Sequence, residues 1–342
     1  MLLVIYSYLI VLLDLIGLHF QLIFSFIKAF LRVIRPTRFK SLREENIVIT
    51  GAGHGIGREL ALQLAELGAR LALWDLDGAR CEETAKDVRA KGGIAISYCC
   101  DISERSQVLD TATKVRKELG IVGMVINNAG VVIIHPLLDH GPQQIRKIFD
   151  VNVISHFWML EAFLPDMIAS NHGHIAAVCS MTGLMQALGE ELKEDARKPN
   201  IHLTTIHPFI VNTGQVQRPR LRFPKLLGVQ KPSHAAHMII RAIRQNKQEA
   251  SVPGWLLPLH DLARALPAET FGLLKNFVAS GAEAHDPAWQ GDAPHQAVMA
   301  ILHGNCKSNN KLHSSSTQHQ PNNGFGTTLK HRHVDLLGEL GK

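Results

Sequence analysis

Four glycines follow the first β-branched run of the chain. Asn46–Thr50 reads NIVIT, and Gly51, Gly53, Gly55 and Gly57 come directly after it, ahead of an amphipathic stretch. This order predicts a strand, a tight turn and the start of a helix. Glycines let the backbone approach a pyrophosphate, and a helix N-terminus offers it unpaired N–H groups and positive dipole. The spacing therefore predicts a dinucleotide-binding turn.

An acidic residue follows the next apolar run at the position where a ribose would lie. Leu71–Trp74 ends in Asp75, 18 residues after Gly57. A carboxylate there accepts hydrogen bonds from both ribose hydroxyls and repels a 2′-phosphate, which favours NAD over NADP. The alternative interpretation is that Asp75 only starts a turn.

Strand and helix patterns alternate through the rest of this region. The strand candidates are Ile94–Cys99, Val122–Ile126, His174–Cys179, Ile201–Ile206 and Ala250–Val252. The helix candidates are Gly78–Lys91, Glu104–Leu119, Gly141–Ile168 and Ser233–Asn246. Alternation at this spacing predicts an α/β fold with a doubly wound parallel sheet of the Rossmann type.

The N-terminal stretch is apolar enough to enter a membrane. From Met1 to Ile27 the only charged residue is Asp14, and a spanning helix needs ~20 apolar residues. Positive charge follows this stretch rather than preceding it, which argues against a secretory signal peptide. Asp14 also permits an interfacial or hairpin-like insertion on a lipid droplet. A buried apolar helix of a soluble protein is the remaining alternative.

The basic excess of the chain is one short block beside that stretch. Six cations without an intervening acid account for the whole formal net charge of +6: Lys28, Arg32, Arg35, Arg38, Lys40 and Arg43. Such a block suits anionic lipid headgroups better than nucleic acid, so no nucleic-acid partner is expected. The positive-inside rule then keeps the following domain in the cytosol. We predict a membrane anchor at 1–34, a basic juxtamembrane linker at 35–45 and a folded domain at 46–282.

The last sixty residues differ in composition from the rest. Residues 283–342 contain seven histidines without metal-ligand spacing and many small polar residues, so we expect a disordered, low-complexity tail. The five cysteines of the chain lack any C-x-x-C spacing, which predicts neither a zinc site nor a disulfide framework and favours a reducing compartment.

Two motifs together resemble a known family. Thr50-Gly-x-x-x-Gly-x-Gly57 and Asn127-Asn-Ala-Gly130 are similar to the motifs of the short-chain dehydrogenase/reductase family. The stretches LALWD, VNVISHFW and IHPFIVNTG resemble its membrane-associated branch, which contains retinol and 17β-hydroxysteroid dehydrogenases. The likeness runs from the N-terminus to about residue 282 and implies a nicotinamide-dependent oxidoreductase.

The resemblance also implies roles for individual residues. It assigns the pyrophosphate turn to Gly51, His54, Gly55, Ile56 and Gly57, the adenine to Asp101 and Ile102, and the cofactor wall to Asn128, Ala129, Gly130 and Pro208. Thr213 is expected to bond the nicotinamide carboxamide. Asn152 is expected to hold a proton-relaying water, and Ser180 to hydrogen-bond the substrate oxygen. Alternatively, Asn152 satisfies buried backbone groups and Ser180 caps the next helix.

The family's catalytic acid–base pair has no counterpart in the chain. In the family, a tyrosine phenolate takes the alcohol proton while a lysine one helical turn on lowers its pKa. The positions at the family's spacing from Ser180 hold Lys193 and Arg197, and the chain's tyrosines are Tyr6, Tyr8 and Tyr98. His207 is a possible substitute base, but a lone histidine beside a strand end is more often structural.

The missing pair is better explained by a deletion than by substitution. Ser180 and Pro208 are 28 positions apart, which is short of the family's motif spacing by about 18 residues. The resemblance places the loss between Met185 and Gln186 and leaves a shortened helix at 186–198. We expect an apolar face exposed by the lost turns and a weakened homodimer.

Three functional interpretations follow. The first is an NAD-dependent oxidoreductase of lipid alcohols, either retinol or a hydroxysteroid, at the endoplasmic reticulum or a lipid droplet and impaired in catalysis. The second is a non-catalytic nucleotide-binding protein of lipid surfaces. The third is a shortened splice product of an active dehydrogenase. The leucines and phenylalanines of 261–280 are interpreted as a roof over the substrate cleft, a membrane contact or ordinary core.

Overall fold

The computed structural model describes residues 2–34, 39–134, 137–178, 182–216, 219–224, 228–278 and 281–282. Ser180, the predicted substrate-binding serine, lies outside the described residues. So do Arg35, Arg38 and the predicted tail at 283–342.

A single long helix forms the N-terminal segment. It is α1 (Leu2–Ile34), and its stretch Ile10–Lys28 is long and apolar enough to cross a membrane. Nineteen residues at 1.5 Å per residue span about 28 Å, close to the ~30 Å of a bilayer's hydrocarbon core. None of this stretch is buried against the rest of the protein.

The remaining described residues alternate between strands and helices. The strands are β1 (Asn46–Thr50), β2 (Arg70–Asp75), β3 (Ile94–Cys99), β4 (Met124–Asn127), β5 (Gly173–Val178), β6 (Ile201–Pro208), β7 (Pro219–Arg220), β8 (Glu249–Val252) and β9 (Gly281–Ala282). The helices after α1 are α2 (Gly55–Glu66), α3 (Gly78–Ala90), α4 (Arg105–Leu119), α5 (Pro142–Phe149), α6 (Ser155–Ala169), α7 (Thr182–Glu194), α8 (Pro232–Arg244), α9 (Leu256–Arg264) and α10 (Ala268–Val278).

Seven strands of the described part form one parallel sheet in the order β3-β2-β1-β4-β5-β6-β8. The order reverses between β1 and β4, which is the switch point of a doubly wound fold. The predicted fold class is therefore confirmed. The central strands β1 and β4 are short, mainly apolar runs buried on both faces, as parallel strands under crossover helices must be.

Two apolar layers cover the two faces of this sheet. One layer packs α2, α3 and α8 on the sheet through residues such as Leu64, Val88 and Ile239. The other packs α4, α6 and α7, with Phe163 of α6 lying 5.8 Å from the buried ring of Trp74. Because α2, α3, α4, α6, α7 and α8 each present an apolar stripe to the sheet, the central strands are covered on both faces.

The predicted continuous helix at 141–168 is wrong in one respect. A π-helical turn at Asp150–Ile154 separates α5 from α6. The side chain of Asn152 in this turn donates to the Val131 carbonyl (2.7 Å) and accepts from the Val131 N–H (2.8 Å). The extra residue of a π turn allows this amide to reach the loop after β4, which hydropathy periodicity does not reveal.

The helix beside the proposed deletion also differs from the prediction. It runs over Thr182–Glu194 instead of 186–198, so it continues across the junction between Met185 and Gln186. Met185, Leu188 and Leu192 are buried at helical spacing against the sheet. This register places Met185, which we predicted to lie in a loop, on the same apolar stripe as the two leucines. The sheet beneath stays covered.

Residues 39–45 are part of the folded domain rather than a free basic linker. Leu42 is buried, and the Lys40 N–H donates to the Arg244 carbonyl of α8. The Thr204 hydroxyl donates its hydrogen to the Lys247 carbonyl, so its oxygen accepts the hydrogen bond from His174 Nε2. The hydrogen of the His174 ring is therefore on Nε2, and His174 Nδ1 accepts from the Lys40 ammonium. Burial lowers the pKa of Lys40 to about 8, although Glu45 opposes the shift. Lys40 therefore serves the fold instead of lipid headgroups.

A buried histidine makes the stability of the fold dependent on pH. His156 of α6 lies 3.4 Å from the Asn127 amide, and burial lowers its pKa to about 4. The unfolded chain therefore binds more protons than the folded chain between about pH 6.5 and 4, and stability falls as the pH falls through this window.

We predict that the free energy of unfolding falls between pH 7.5 and 4.5, with His156 contributing on the order of 3 kcal/mol at full protonation. His156→Gln removes this part of the pH dependence. Denaturant unfolding of the full chain in detergent at several pH values measures it. His234→Gln changes an exposed histidine of α8 and serves as the control. An identical pH dependence in both variants contradicts the prediction.

Candidate cofactor site and active site

A cavity of about 560 Å³ opens at the carboxyl ends of the strands, where β1 and β4 separate. This is the crevice in which doubly wound folds bind ligands. Thirteen of the residues predicted for the site line it: Gly51, His54, Gly55, Ile56, Asp75, Asp101, Ile102, Asn128, Ala129, Gly130, Asn152, Pro208 and Thr213. The structure thus brings together residues from the ends of five strands.

The glycine turn between β1 and α2 needs its glycines for two different reasons. Gly51 and Gly55 have φ of +68° and +58°, a left-handed conformation that other residues adopt only with strain. Gly57 lies behind the cavity wall, and a Cβ there would stand 2.0 Å from the Gly51 carbonyl oxygen and 2.7 Å from the Asn128 amide nitrogen. No side chain fits that space, so the turn holds its shape only with glycine at position 57.

Thr50 joins the two strands that frame the crevice. Its hydroxyl oxygen accepts the N–H groups of Asn128 and Ala129, both at 3.0 Å, and the Asn128 side-chain amide donates to the Thr50 carbonyl at 3.0 Å. The loop after β4 is thereby fixed against the glycine turn. Thr50 is part of the sequence motif, but we did not predict it as a site residue. Its place directly before Gly51 was the available signal.

Asp75 lies at the end of β2, facing the cavity beside the glycine turn. One carboxylate oxygen accepts the Gly53 N–H at 2.8 Å and the other accepts the Asp77 N–H at 2.9 Å. Burial raises the pKa of this carboxyl above its ordinary value, while the two backbone hydrogen bonds oppose the shift. Each oxygen has a second lone pair, so the group retains acceptor capacity toward ribose hydroxyls.

The end of the cavity at Asp101 and Ile102 contains a cation that the sequence did not indicate. Lys147 of α5 lines the cavity, and its ammonium lies 3.7 Å from the Asp101 carboxylate. Asp101 is further fixed because it accepts the backbone N–H of Ser103 at 3.0 Å. Both side chains of the pair are mostly shielded from solvent. Nothing in the local sequence around Lys147 indicates this contact, because Asp101 is far away in the chain and the two residues meet only in the folded domain.

The opposite end of the cavity is formed by β5, β6 and the loop after β6. Val178 at the end of β5, Pro208 at the end of β6 and Thr213 in the following loop line it. Gln215, which we did not predict, closes this end by donating from its amide to the Gly130 carbonyl at 2.9 Å. Ser180 follows β5 by two residues and lies outside the described part of the chain, as already stated.

Among the described residues that line the cavity, no side chain is a phenol. The ionisable ones are His54, Asp75, Cys100, Asp101 and Lys147. Tyr98 is on the edge strand β3, three positions from β4 in the sheet order, and burial raises the pKa of its phenol further above the ordinary value. It therefore neither reaches the substrate end of the cavity nor ionises easily.

The residues at the family's catalytic spacing point to solvent. Lys193 is exposed and forms an ion pair with Glu190 at 2.7 Å. Arg197 is also exposed and is paired with Asp195 at 2.6 Å. His207 on β6 lies 3.9 Å from a Glu249 carboxylate oxygen and is not part of the cavity lining. None of these three side chains lines the cavity, so none is placed to accept a proton from an alcohol bound there.

Comparisons with known proteins agree with this geometry. The sequence profile of the short chain dehydrogenase family matches residues 45–220. The chain belongs to the short-chain dehydrogenase family. The resemblance stated from the two motifs is thereby confirmed, and the matched region includes the glycine turn, the Asn-Asn-Ala-Gly loop and helix α7.

Two relatives and one solved structure illustrate the relationship. Human epidermal retinol dehydrogenase 2 is 34% identical over 75% of this chain and 89% of its own length. Mouse estradiol 17-beta-dehydrogenase 11 is 35% identical over 78% of this chain and 94% of its own. A metagenomic short-chain oxidoreductase in complex with NADP is 26% identical with a TM-score of 0.52, covering 62% of this chain and 98% of that one.

The two ends of the cavity in this family member differ in how many of the expected functional groups they contain. The glycine turn, Asp75 and the Thr50–Asn128 contact supply what a dinucleotide requires: close backbone approach, a helix N-terminus and a ribose acceptor. The described residues at the substrate end offer no group suited to accept a proton from an alcohol. The described residues can thus hold a dinucleotide, and among them none is placed for general base catalysis.

We predict that Gly57→Ala lowers nucleotide affinity by at least about tenfold, because the new methyl group displaces the Gly51 carbonyl and the Asn128 amide. Fluorescence titration of the full chain with NADH measures the affinity. Gly183→Ala in α7 is the matched control, since a Cβ there meets no atom within 4 Å. Equal affinities in the two variants contradict the assignment of the turn.

Proposed function

We propose that this chain is a nicotinamide-binding member of the lipid-alcohol dehydrogenases that has lost most of its catalytic capacity. The observation that carries the proposal is the contrast within one cavity between a complete dinucleotide cradle and a substrate end without a phenol or other base among the described residues. NAD, when bound, supplies the hydride acceptor for oxidation of an alcohol. The chain's own residues bind and orient it.

The comparisons support the loss of a segment. The alignment with human epidermal retinol dehydrogenase 2 extends over 275 residues but takes in 75% of the 342 residues here, or about 257. About 18 aligned positions of the relative therefore have no counterpart in this chain, which equals the length of the deletion that we propose next to Ser180. The continuous helix α7 is consistent with a junction that rejoins two parts of the fold.

Without a positioned base, the proton of the alcohol has no acceptor at the moment the hydride leaves. General base catalysis contributes ~10²–10⁴-fold to such reactions, and loss of the substrate loop also removes orientation. Asn152 does not replace the base, because both atoms of its amide are engaged by the backbone of Val131. Its side chain fulfils the structural role that we considered as the alternative.

The substrate class is proposed from the named relatives. Epidermal retinol dehydrogenase 2 and estradiol 17-beta-dehydrogenase 11 act, by their names, on retinol and estradiol, which are apolar alcohols. Apolar alcohols partition into membranes, which explains why α1 would anchor the domain to the endoplasmic reticulum or a lipid droplet. We place the dinucleotide-binding domain in the cytosol because the basic block follows the anchor.

The proposed homodimer also follows from an exposed apolar stripe. Ile145 and Phe149 are one turn apart on α5, Phe157 is on α6, and each is at least 41% exposed. In the family, this side and the helix after it pack against a second subunit. Since α7 is short here, we propose that the dimer forms weakly.

A second candidate function is a non-catalytic nucleotide-binding protein of lipid surfaces. The intact cradle favours it, because nucleotide binding does not depend on the missing segment. A third is that the chain is a shortened splice product of an active dehydrogenase, which would follow if the unmatched positions were lost as one continuous segment.

We predict that membranes containing this chain oxidise neither retinol nor estradiol with NAD above background. The assay is NADH formation together with product analysis by chromatography. Human epidermal retinol dehydrogenase 2 is the active control, and the same enzyme with its catalytic tyrosine changed to phenylalanine is the inactive control. Turnover within about tenfold of the intact relative contradicts the proposed impairment, since a missing base costs ~10²–10⁴-fold.

The proposed preference for NAD rests on the charge of Asp75. We predict that Asp75→Asn lowers the ratio of the NADPH dissociation constant to the NADH dissociation constant by about tenfold. The amide oxygen of the variant still accepts the Gly53 N–H, but the uncharged side chain no longer repels a 2′-phosphate. Titration of the full chain with both nucleotides measures the ratio. Asp77→Asn changes a charge two residues away that does not line the cavity, and it is expected to alter the ratio far less.

A further inference from the structure

The loop after β6 extends along the cavity that we assign to the dinucleotide. Its first part is fixed, because the Phe209 N–H donates to the end of β8 at 2.8 Å and Val211 forms a β-bridge with Gln230. We call residues 213–216, which follow this part, the cavity strap. Three of them line the cavity: Thr213, Gln215 and Val216. The strap therefore starts from a fixed point and continues along the cavity wall.

Two side chains attach the cavity strap to the two segments that frame the crevice. A Cβ added at Gly55 would lie 3.1 Å from the methyl carbon of Thr213, so this threonine packs directly on the glycine turn. The Gln215 amide donates to the Gly130 carbonyl at 2.9 Å, in the loop after β4. The strap thus contacts both the segment after β1 and the segment after β4.

The backbone between these two side chains makes both contacts possible. Gly214 has a φ of +84°, a left-handed conformation that other residues adopt only with strain. Just before it, the Thr213 N–H donates to the Val211 carbonyl at 2.8 Å, which tightens the turn. The chain changes direction at Gly214, so Thr213 packs on the glycine turn while Gln215 reaches the loop after β4. The local backbone therefore directs the Gln215 side chain to its acceptor.

The bond between Gln215 and Gly130 occupies space that a nicotinamide needs. In the site roles that we predict, Gly130 belongs to the cofactor wall and Thr213 bonds the nicotinamide carboxamide. The nicotinamide half then lies between the cavity strap and the loop after β4. A ring between two groups keeps ~3.5–4.0 Å from each of them. A hydrogen bond of 2.9 Å leaves no room for such a ring, so the bond and the nicotinamide half exclude each other.

The adenosine half of the site does not depend on the contacts of the cavity strap. Asp75 is held by two backbone N–H groups at the end of β2, and Asp101 pairs with Lys147. Neither arrangement includes Gln215. The cavity of about 560 Å³ is present with the strap in this position. A ligand that consists of adenosine and its phosphates can therefore bind without displacing the strap.

We propose that Gln215 is a specificity-determining residue, whose bond to Gly130 closes the nicotinamide half of the site and makes the chain favour adenosine diphosphate (ADP) over the intact dinucleotide. The proposal rests on the nucleotide binding proposed above and narrows its ligand class. NAD binds only in the conformation in which this bond is broken. The apparent dissociation constant for NAD is then raised by the inverse of the fraction of molecules in that conformation.

The test compares ADP and NADH as ligands of the full chain in detergent. Isothermal titration calorimetry measures both dissociation constants and requires no turnover. In the parent chain we expect ADP to bind at least as tightly as NADH, although NADH has more groups to contact. Gln215→Ala is expected to lower the ratio of the NADH dissociation constant to the ADP dissociation constant by about fivefold, since a neutral hydrogen bond shifts an equilibrium by roughly this factor.

Two further variants separate this bond from other effects. Gln215→Met keeps an unbranched side chain but has no N–H donor, and it is expected to lower the ratio as well. Gln63→Ala is the matched control, because the Gln63 amide of α2 also donates to a carbonyl, that of Ser233, at 2.9 Å, but does not line the cavity. It is expected to leave the ratio unchanged. An ADP dissociation constant within about twofold of the parent value verifies that the site of each variant is folded.

The outcomes separate this proposal from the proposed function. A ratio that neither Gln215 variant lowers overturns the role of Gln215 and leaves nucleotide binding intact. Tighter binding of NADH than of ADP by the parent chain has the same consequence. An equal lowering by Gln63→Ala also overturns the role, because the effect then does not arise in the cavity. A parent chain that binds neither nucleotide contradicts the proposed function and this proposal with it.

Discussion

The contact between the ends of β1 and β4 determines most of what this molecule can do. One hydroxyl, that of Thr50, accepts two backbone N–H groups of the Asn-Asn-Ala-Gly loop, and the Asn128 amide returns a hydrogen bond to the Thr50 carbonyl. The space behind this contact is so tight that position 57 tolerates no Cβ. The crevice at the switch point therefore keeps its shape through backbone geometry and does not depend on the catalytic side chains.

Because of this independence, the dinucleotide cradle would remain even if the chain has lost most of its catalytic capacity, as we propose. Nucleotide binding uses the glycine turn, a helix N-terminus and one carboxylate, all contributed by the first half of the domain. Proton transfer in the family depends on two side chains of one later helix. That helix persists here as α7, because Met185, Leu188 and Leu192 fall on a single apolar stripe after the inferred loss. Packing of this helix requires only apolar residues at helical spacing, whereas the reaction requires particular side chains.

Two groups of charged residues show a similar division of roles. The N-terminal basic block looks uniform in sequence, yet Lys40 bonds His174 inside the domain. In the basic run at 217–231, Arg222 is exposed and donates to the Phe277 carbonyl of α10. The charge of Lys40, which appears functional in the sequence, is therefore structural, and the Arg222 contact is apparent only when α10 and the loop after β6 are seen together.

The sequence alone determined the fold class, the family, the dinucleotide turn and the missing catalytic pair, because each depends on residue types at fixed spacing along the chain. Strand runs, glycine positions and the absence of a tyrosine after position 98 are all local facts. Only the tertiary structure decided the π turn at Asn152, the start of α7 at Thr182, the Lys147–Asp101 pair and the exposure of large apolar side chains on α9 and α10. These depend on contacts between segments far apart in the chain, which hydropathy patterns do not encode.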